Sequence, residues 1–264
     1  MLVIRFRVKI RNTIKEKRFL MLRFIITATF VVLFLILSTP LMLIEWIIGK
    51  FNPGLKDRSS LAIVNWAFRM VARLSGVKQT IIGEERVPKD EPVLYIGNHQ
   101  SYFDIVLTYI RVPRPTGYVA KKGMRRVPLL NVWMIFLKCQ FLDRDNLKEG
   151  LKTILSCIEL VKSGASICIF PEGTRNPTPD TFMEFHEGSF KIAQKSGCAI
   201  VPICLNNTAE IFENHHPKLK KAHVVIEYGE PFYIKDLPKE QQRAVGAYTS
   251  ALIHSMYEKN KELV

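Results

Sequence analysis

The chain has 264 residues, 48% of them hydrophobic, and a formal charge of +14, so one domain plus an appendage can close a core without disulfides or metals. Its five cysteines (Cys139, Cys157, Cys168, Cys198, Cys204) are odd in number and form no CxxC pair, which excludes a disulfide scaffold and fits buried free thiols in a reducing compartment. Half of the net charge lies in residues 1–23, where eight basic side chains face one acid; beside an apolar run, such an arm is attracted to anionic lipid by about 1 kcal/mol per charge, and it carries no nucleic-acid motif.

Residues 24–44 (FIITATFVVLFLILSTPLMLI) hold no charge and are long enough to span a bilayer core. They lie too far into the chain, and lack the cleavage site, for a signal peptide. Pro40 interrupts the run near its end. Residues 59–75 are apolar except for Asn65, Arg69 and Arg73, one narrow polar stripe on a helix, and Gly76 is the expected stop. A single crossing with residues 1–23 in the cytoplasm would export everything that follows. A membrane-associated helical hairpin, entering one leaflet and returning with a break near Pro40, avoids this; a true span remains the other arrangement.

Beyond residue 77, short apolar runs alternate with helical patterns. Strands are expected at 78–82, 93–97, 117–120, 140–142, 166–170, 199–203 and 223–228, and helices at 101–110, 129–137, 146–162, 188–196 and 239–260. This alternation predicts an α/β fold with a mixed, largely parallel sheet flanked by helices. The expected organisation is a basic arm and membrane-associated segment over 1–76 and an α/β domain over 77–264.

In such sheets ligands gather at the carboxyl ends of strands. His99 directly follows the strand VLYIG, and Asp104 stands five residues on, in NHQSYFD. One reading makes Ser101 and Asp104 a helix capping box and His99 a loop residue. The other folds the first-turn carboxylate back onto the ring, fixing its tautomer and leaving the second nitrogen as a general base. A histidine with a pKa near 6.5 suits deprotonation of an alcohol at neutral pH. No G-x-S-x-G elbow supplies a nucleophilic serine, so the hydroxyl is assigned to a substrate and transfer is direct.

A second stretch, FPEGTR (170–175), follows another strand. Its turn offers backbone amides around Gly173, the Thr174 hydroxyl and the planar fork of Arg175 to an anion. Glu172 either orients Arg175 or hydrogen-bonds a substrate hydroxyl. Between the two stretches, AKKGMRRVP (120–128) presents Lys121, Lys122, Arg125 and Arg126, either as a solvated loop or as a grip on donor or headgroup phosphates. His186, His215, His216, His223 and His254 show no ligand spacing, so no metal is expected.

Together these segments resemble the glycerophospholipid acyltransferase family, its lysophosphatidic acid acyltransferases in particular. NHQSYFD matches the H-x4-D block, which implies His99 as base and Asp104 as its partner. KCQFLDR (138–144) is similar to the second block, implying that Arg144 binds glycerol phosphate. FPEGTR matches the third in full, implying acceptor binding by Glu172, Gly173, Thr174 and Arg175. IVPI (200–203) looks like the fourth, an apolar strand ending at Pro202 that shapes the pocket. Gln140 and Leu142 depart mildly from the second block. The resemblance implies acyl transfer from acyl-CoA or acyl carrier protein, without a cofactor, to the sn-2 hydroxyl of a lysophosphatidic acid, forming phosphatidic acid at the cytoplasmic face of a membrane. Glycerol 3-phosphate or another lysophospholipid is the alternative acceptor, and a non-catalytic lipid-binding protein the alternative of another class.

Overall fold

A computed structural model describes residues 2–178 and 180–264, with side chains described from Lys17 onward. Arg5, Arg7, Lys9, Arg11 and Lys15 of the basic arm therefore lie outside the described side chains. The first helix, α1 (Leu2–Leu37), gives way at Ser38 to α2 (Thr39–Phe51), and α3 (Pro53–Ser75) follows. The uncharged run 24–44 is thus two elements. Pro40 has no N–H to offer the Ile36 carbonyl; Thr39 Oγ1 takes that carbonyl instead at 2.7 Å, and Ser38 Oγ takes that of Leu35 at 3.3 Å. The chain turns back not at Pro40 but at Asn52, whose side chain caps α3 by accepting from the Leu55 amide at 2.9 Å, with Pro53 in the first turn. Buried Glu45 on α2 accepts from Ser59 and Ser60 of α3 at 2.8 and 2.9 Å, which ties the two helices together. Gly76, left-handed at φ 72°, ends α3 as expected.

Seven strands follow: β1 (Lys78–Ile82), β2 (Val93–Gly97), β3 (Thr116–Lys121), β4 (Gln140–Leu142), β5 (Ser166–Ile169), β6 (Ala199–Asn206) and β7 (His223–Tyr228). They form one sheet in the order β1-β7-β6-β2-β5-β3-β4, with every pairing parallel except β6 with β7. The helices are α4 (Tyr102–Tyr109), α5 (Leu130–Phe136), α6 (Leu147–Lys162), α7 (Lys191–Ser196), α8 (Lys239–Arg243) and α9 (Val245–Asn260). Alternate residues of β2 divide the core. Val93 and Tyr95 join a cluster with α3, α4 and α5, while Leu94 and Ile96 join one with α6, α7 and α9. The α/β sandwich is therefore a mixed, mostly parallel sheet flanked by helices on both faces, preceded by an apolar N-terminal helix.

β6 does not end at Pro202 but runs four residues further. Ile200 bonds both ways with Phe232, and the Pro202 carbonyl accepts from Gly229 at 2.9 Å. β7 joins only from Ile203 onward. The missing N–H of Pro202 falls in this gap, where proline is tolerated in a sheet.

Within α1, Lys17–Leu37 contains an 18-residue window of mean hydropathy 2.6 and is long and apolar enough to cross a membrane. Both ends of this segment nevertheless rest on the α/β domain. Phe24 stacks on Phe212 at 5.8 Å and Arg23 donates to the Leu219 carbonyl at 3.3 Å. At the other end Phe34 packs on Trp133 at 6.1 Å, and the Trp133 indole donates to Ser38 Oγ at 3.0 Å. The outward face of α1 and α2 leaves Val32, Ile36, Leu41, Ile44, Trp46 and Ile47 exposed.

Candidate active site

Because β2, β3, β4, β5 and β6 share one direction, their carboxyl ends meet at one edge of the sheet. His99 lies two residues past β2, Glu172 and Gly173 just past β5, Arg144 past β4, Lys121 at the end of β3 and Thr208 past β6. Asn98, buried beneath them, bonds both ways with the Leu205 backbone and fixes the exit of β2 against β6.

The two readings of Asp104 are both realised in one carboxylate. Its Oδ2 accepts from the Gln100 and Ser101 amides at 2.7 Å each, and from His99 Nδ1 at 2.8 Å. Its Oδ1 accepts from the Thr208 hydroxyl. Ser101 Oγ in turn accepts from the Phe103 amide at 3.0 Å, completing the capping box. An ionised carboxylate can only accept, so opposite it Nδ1 carries the proton and Nε2 is left with a lone pair. The imidazole stacks on Phe170 with centroids 4.4 Å apart and planes 13° from parallel, which sets its remaining rotation. Its side chain is 15% exposed, whereas that of Asp104 is fully buried.

Glu172 is 3% exposed; its Oε1 accepts the His99 amide at 2.8 Å, it makes no bond to Arg175, and its Oε2 is buried without a hydrogen-bond partner among the described residues. Burial raises its pKa, partly opposed by that amide. A carboxyl raised on folding costs stability above its folded pKa and nothing below its unfolded one. Glu172→Gln keeps an acceptor for His99, so its Tm should exceed the parent's at pH 8, with the gain shrinking towards pH 4. Equal gains at both pH values in thermal melts would contradict this.

The PEGTR turn is also partly committed. The Gly173 amide, expected to face an anion, donates to the Phe170 carbonyl at 3.1 Å. The amides of Thr174 and Arg175 have no acceptor among the described residues. Thr174 is exposed, and Gly173 is left-handed at φ 74°. The Arg175 fork donates to Glu213 Oε1 at 2.9 Å and to the Tyr102 hydroxyl at 3.1 Å, and lies 3.8 Å above the Tyr102 ring. Glu213 had no signal in the sequence. It sits in the irregular 206–222 connection, 112 positions from Ser101, and accepts from both the Ser101 hydroxyl and the Tyr102 amide at the start of α4. One carboxylate thus joins Arg175 to the helix that carries Asp104. Glu213→Ala should lower stability by about 1–3 kcal/mol by stranding these donors. That loss would appear as a lower denaturant midpoint at constant slope, and an unmoved midpoint would refute the tie.

Arg144 is exposed and makes no hydrogen bond or ion pair among the described residues; partial burial of its guanidinium holds its pKa below the usual range, opposed by nearby Asp145. Lys121 is exposed at the end of β3, while Lys122 is paired with Asp143 at 2.6 Å. Among the described residues no group of three or more His, Cys, Asp or Glu is placed to hold a metal.

A histidine–carboxylate pair and an arginine-bearing turn thus meet at the carboxyl edge of a largely parallel sheet in an α/β domain. The chain matches the Acyltransferase family model over residues 78–206. It is 32% identical over 155 residues to the 1-acyl-sn-glycerol-3-phosphate acyltransferase of Borreliella burgdorferi, covering 59% of this chain and 62% of that one. The protein of the same name from Saccharomyces cerevisiae is 28% identical over 74% of this chain and 64% of its own length. The one from Salmonella typhimurium is 29% identical over 77% and 81%. The chain thus spans less than two thirds of the Borreliella and Saccharomyces relatives. The crystal structure of the 1-acyl-sn-glycerophosphate (LPA) acyltransferase PlsC from Thermotoga maritima superimposes with a TM-score of 0.76 at 21% identity, over 93% of this chain and 97% of that one, and shares its fold.

Proposed function

We propose that this protein transfers a fatty acyl group from an acyl thioester to the free sn-2 hydroxyl of 1-acyl-glycerol 3-phosphate, forming phosphatidic acid. The names of the Borreliella, Saccharomyces and Salmonella relatives support this acceptor. The observation that carries the reading is the 2.8 Å contact between His99 Nδ1 and the buried Asp104, beside cationic groups at the same sheet edge.

His99 Nε2 removes the hydroxyl proton as the oxygen attacks the thioester carbonyl, and Asp104 stabilises the imidazolium that forms. Collapse of the tetrahedral adduct breaks the C–S bond, and the imidazolium returns its proton to the departing thiolate. The acyl thioester, of coenzyme A or of acyl carrier protein, is the only co-substrate, with no cofactor. Cationic groups at the edge, Arg144 foremost with Lys121 beside it, hold the acceptor phosphate, and positioning of this kind lowers the barrier by several kcal/mol, on the order of what oriented intramolecular reactions gain.

Membrane association fits the exposed apolar face of α1 and α2. Contact of both ends of the apolar segment with the domain favours a hairpin lying in one leaflet over a crossing. With such a hairpin the α/β domain and its site stay on the same side as residues 1–23, which the positive-inside rule places in the cytoplasm. Thiol release by the purified full chain, measured with lysophosphatidic acid, glycerol 3-phosphate and lysophosphatidylcholine in turn, tests the function. Release that requires lysophosphatidic acid is expected. Equal release with any acceptor, or none with all three, would overturn the reading.

A further inference from the structure

Three donors crowd one oxygen of the Asp104 carboxylate: Oδ2 accepts from the Gln100 and Ser101 amides at 2.7 Å each and from His99 Nδ1 at 2.8 Å. Oδ1 accepts from one group, the Thr208 hydroxyl. That asymmetry gives the hydroxyl a task of its own. The lone pairs of a carboxylate oxygen lie in the plane of the group, so a donor is met best in that plane. Rotation about the Cβ–Cγ bond of an aspartate is soft. The two amides fix the position of Oδ2, and Thr208, at the opposite oxygen, sets the plane in which Oδ2 meets the imidazole.

Thr208 is itself firmly placed. It and Asp104 are both 0% exposed, so bulk solvent reaches neither end of the bond. It follows a left-handed turn at Asn207, φ 66°, whose side-chain amide donates to the His223 carbonyl of β7 at 2.9 Å. The Thr208 carbonyl accepts from the Ile211 amide at 3.2 Å. Further along the same connection, Glu213 is bonded to the start of α4, and Phe212 and Leu219 contact α1. The hydroxyl is thus presented to Asp104 from outside the strand–helix junction that carries the pair. The family match ends at residue 206, short of Thr208.

We propose that Thr208 is a positioning residue for acyl transfer: its hydroxyl fixes the Asp104 carboxylate so that Oδ2 stays in line with His99 Nδ1. This rests on the acyl-transfer reading above. Thr208 acts through Asp104, so its loss should fall on the chemical step and not on the binding of either substrate.

Thr208→Val keeps the shape and removes the hydroxyl, Thr208→Ser keeps the hydroxyl, and Thr208→Cys offers a weaker donor. In the full chain, Thr208→Val should lower kcat about tenfold, the worth of one hydrogen bond to a charged group. The KM values for lysophosphatidic acid and for the acyl thioester should change by less than about twofold. Thr208→Ser should restore most of the loss. Thr208→Cys should fall between, which keeps the series decisive if the valine variant does not fold. In proton NMR the His99 Nδ1–H signal, identified by its absence in His99→Ala, should move upfield and exchange faster with water in Thr208→Val, and return in Thr208→Ser. A residue that only supports the fold would lower the melting temperature and leave that signal in place. Parental kcat in Thr208→Val or Thr208→Cys, a loss that serine does not restore, or an unmoved Nδ1–H signal would each overturn the proposal. A wild-type chain inactive on lysophosphatidic acid would defeat the acyl-transfer reading alone, since the Nδ1–H signal still decides whether Thr208 holds the pair.

Discussion

His99→Ala lowers kcat by roughly 10²–10⁴-fold, the usual worth of a positioned general base, and leaves the donor KM nearly unchanged. The ring, 15% exposed, contributes its stack on Phe170 and one of the four hydrogen bonds to Asp104. Such an aromatic pair is worth about 0.5–1.5 kcal/mol and a hydrogen bond to a charged group about 1.5–3 kcal/mol, so the variant's melting transition should drop by a few degrees without the fold collapsing. Activity and stability separate at this residue. Thiol-release kinetics beside a thermal melt check it, and a loss of activity that merely follows a collapsed Tm would argue against a catalytic role.

Asp104→Ala should damage both. Four donors converge on this carboxylate: the amides of Gln100 and Ser101, the His99 ring and the Thr208 hydroxyl. Each buried donor left unsatisfied costs about 1–3 kcal/mol, so a total loss of about 3–5 kcal/mol is expected once the loop relaxes. Activity should fall at least as far as in His99→Ala, because the tautomer that exposes a lone pair on Nε2 is no longer enforced. Asp104→Asn discriminates further. It recovers part of the stability by accepting through its carbonyl, but its NH₂ group cannot accept from the second side, so activity should remain low. Denaturant midpoints and kcat measured on both variants test this, and near-parental turnover in Asp104→Asn would be fatal to the pairing.

The sheet was legible because its strands are short apolar runs bounded by turn residues, and all seven emerge within a few residues of their expected places. The errors have local causes. Pro202 reads as a strand end, yet its missing N–H meets a gap between β6 and the 229–232 segment, so the strand continues. Residues 239–260 read as one helix, but Ala244, at φ −123° and ψ 45°, divides α8 from α9. Pro40 reads as the turn of the hairpin, although two neighbouring hydroxyls repair the helix there and Asn52 makes the turn.

The site was legible where chemistry is encoded by adjacency. His99 and Asp104 belong to one strand–helix junction, and spacing alone brings them together. Glu213 was hidden for the opposite reason. Glu213 reaches Ser101 across 112 positions from an irregular segment, and no periodicity marks it. One oxygen of Glu172, read as a partner for Arg175 or a hydroxyl, meets the His99 amide because β2 and β5 are neighbours in register, and its other oxygen has no partner among the described residues.

The most direct measurement follows the acyl group during the first turnover. Purified chain is mixed with an isotopically labelled acyl thioester, with and without lysophosphatidic acid, and thiol, lipid product and protein-bound label are each quantified. A histidine base acting on a substrate hydroxyl predicts no thiol without acceptor, and thiol matched one for one by phosphatidic acid with it, both abolished in His99→Ala. A burst of thiol near one per chain without acceptor, with label retained on the protein, would contradict it.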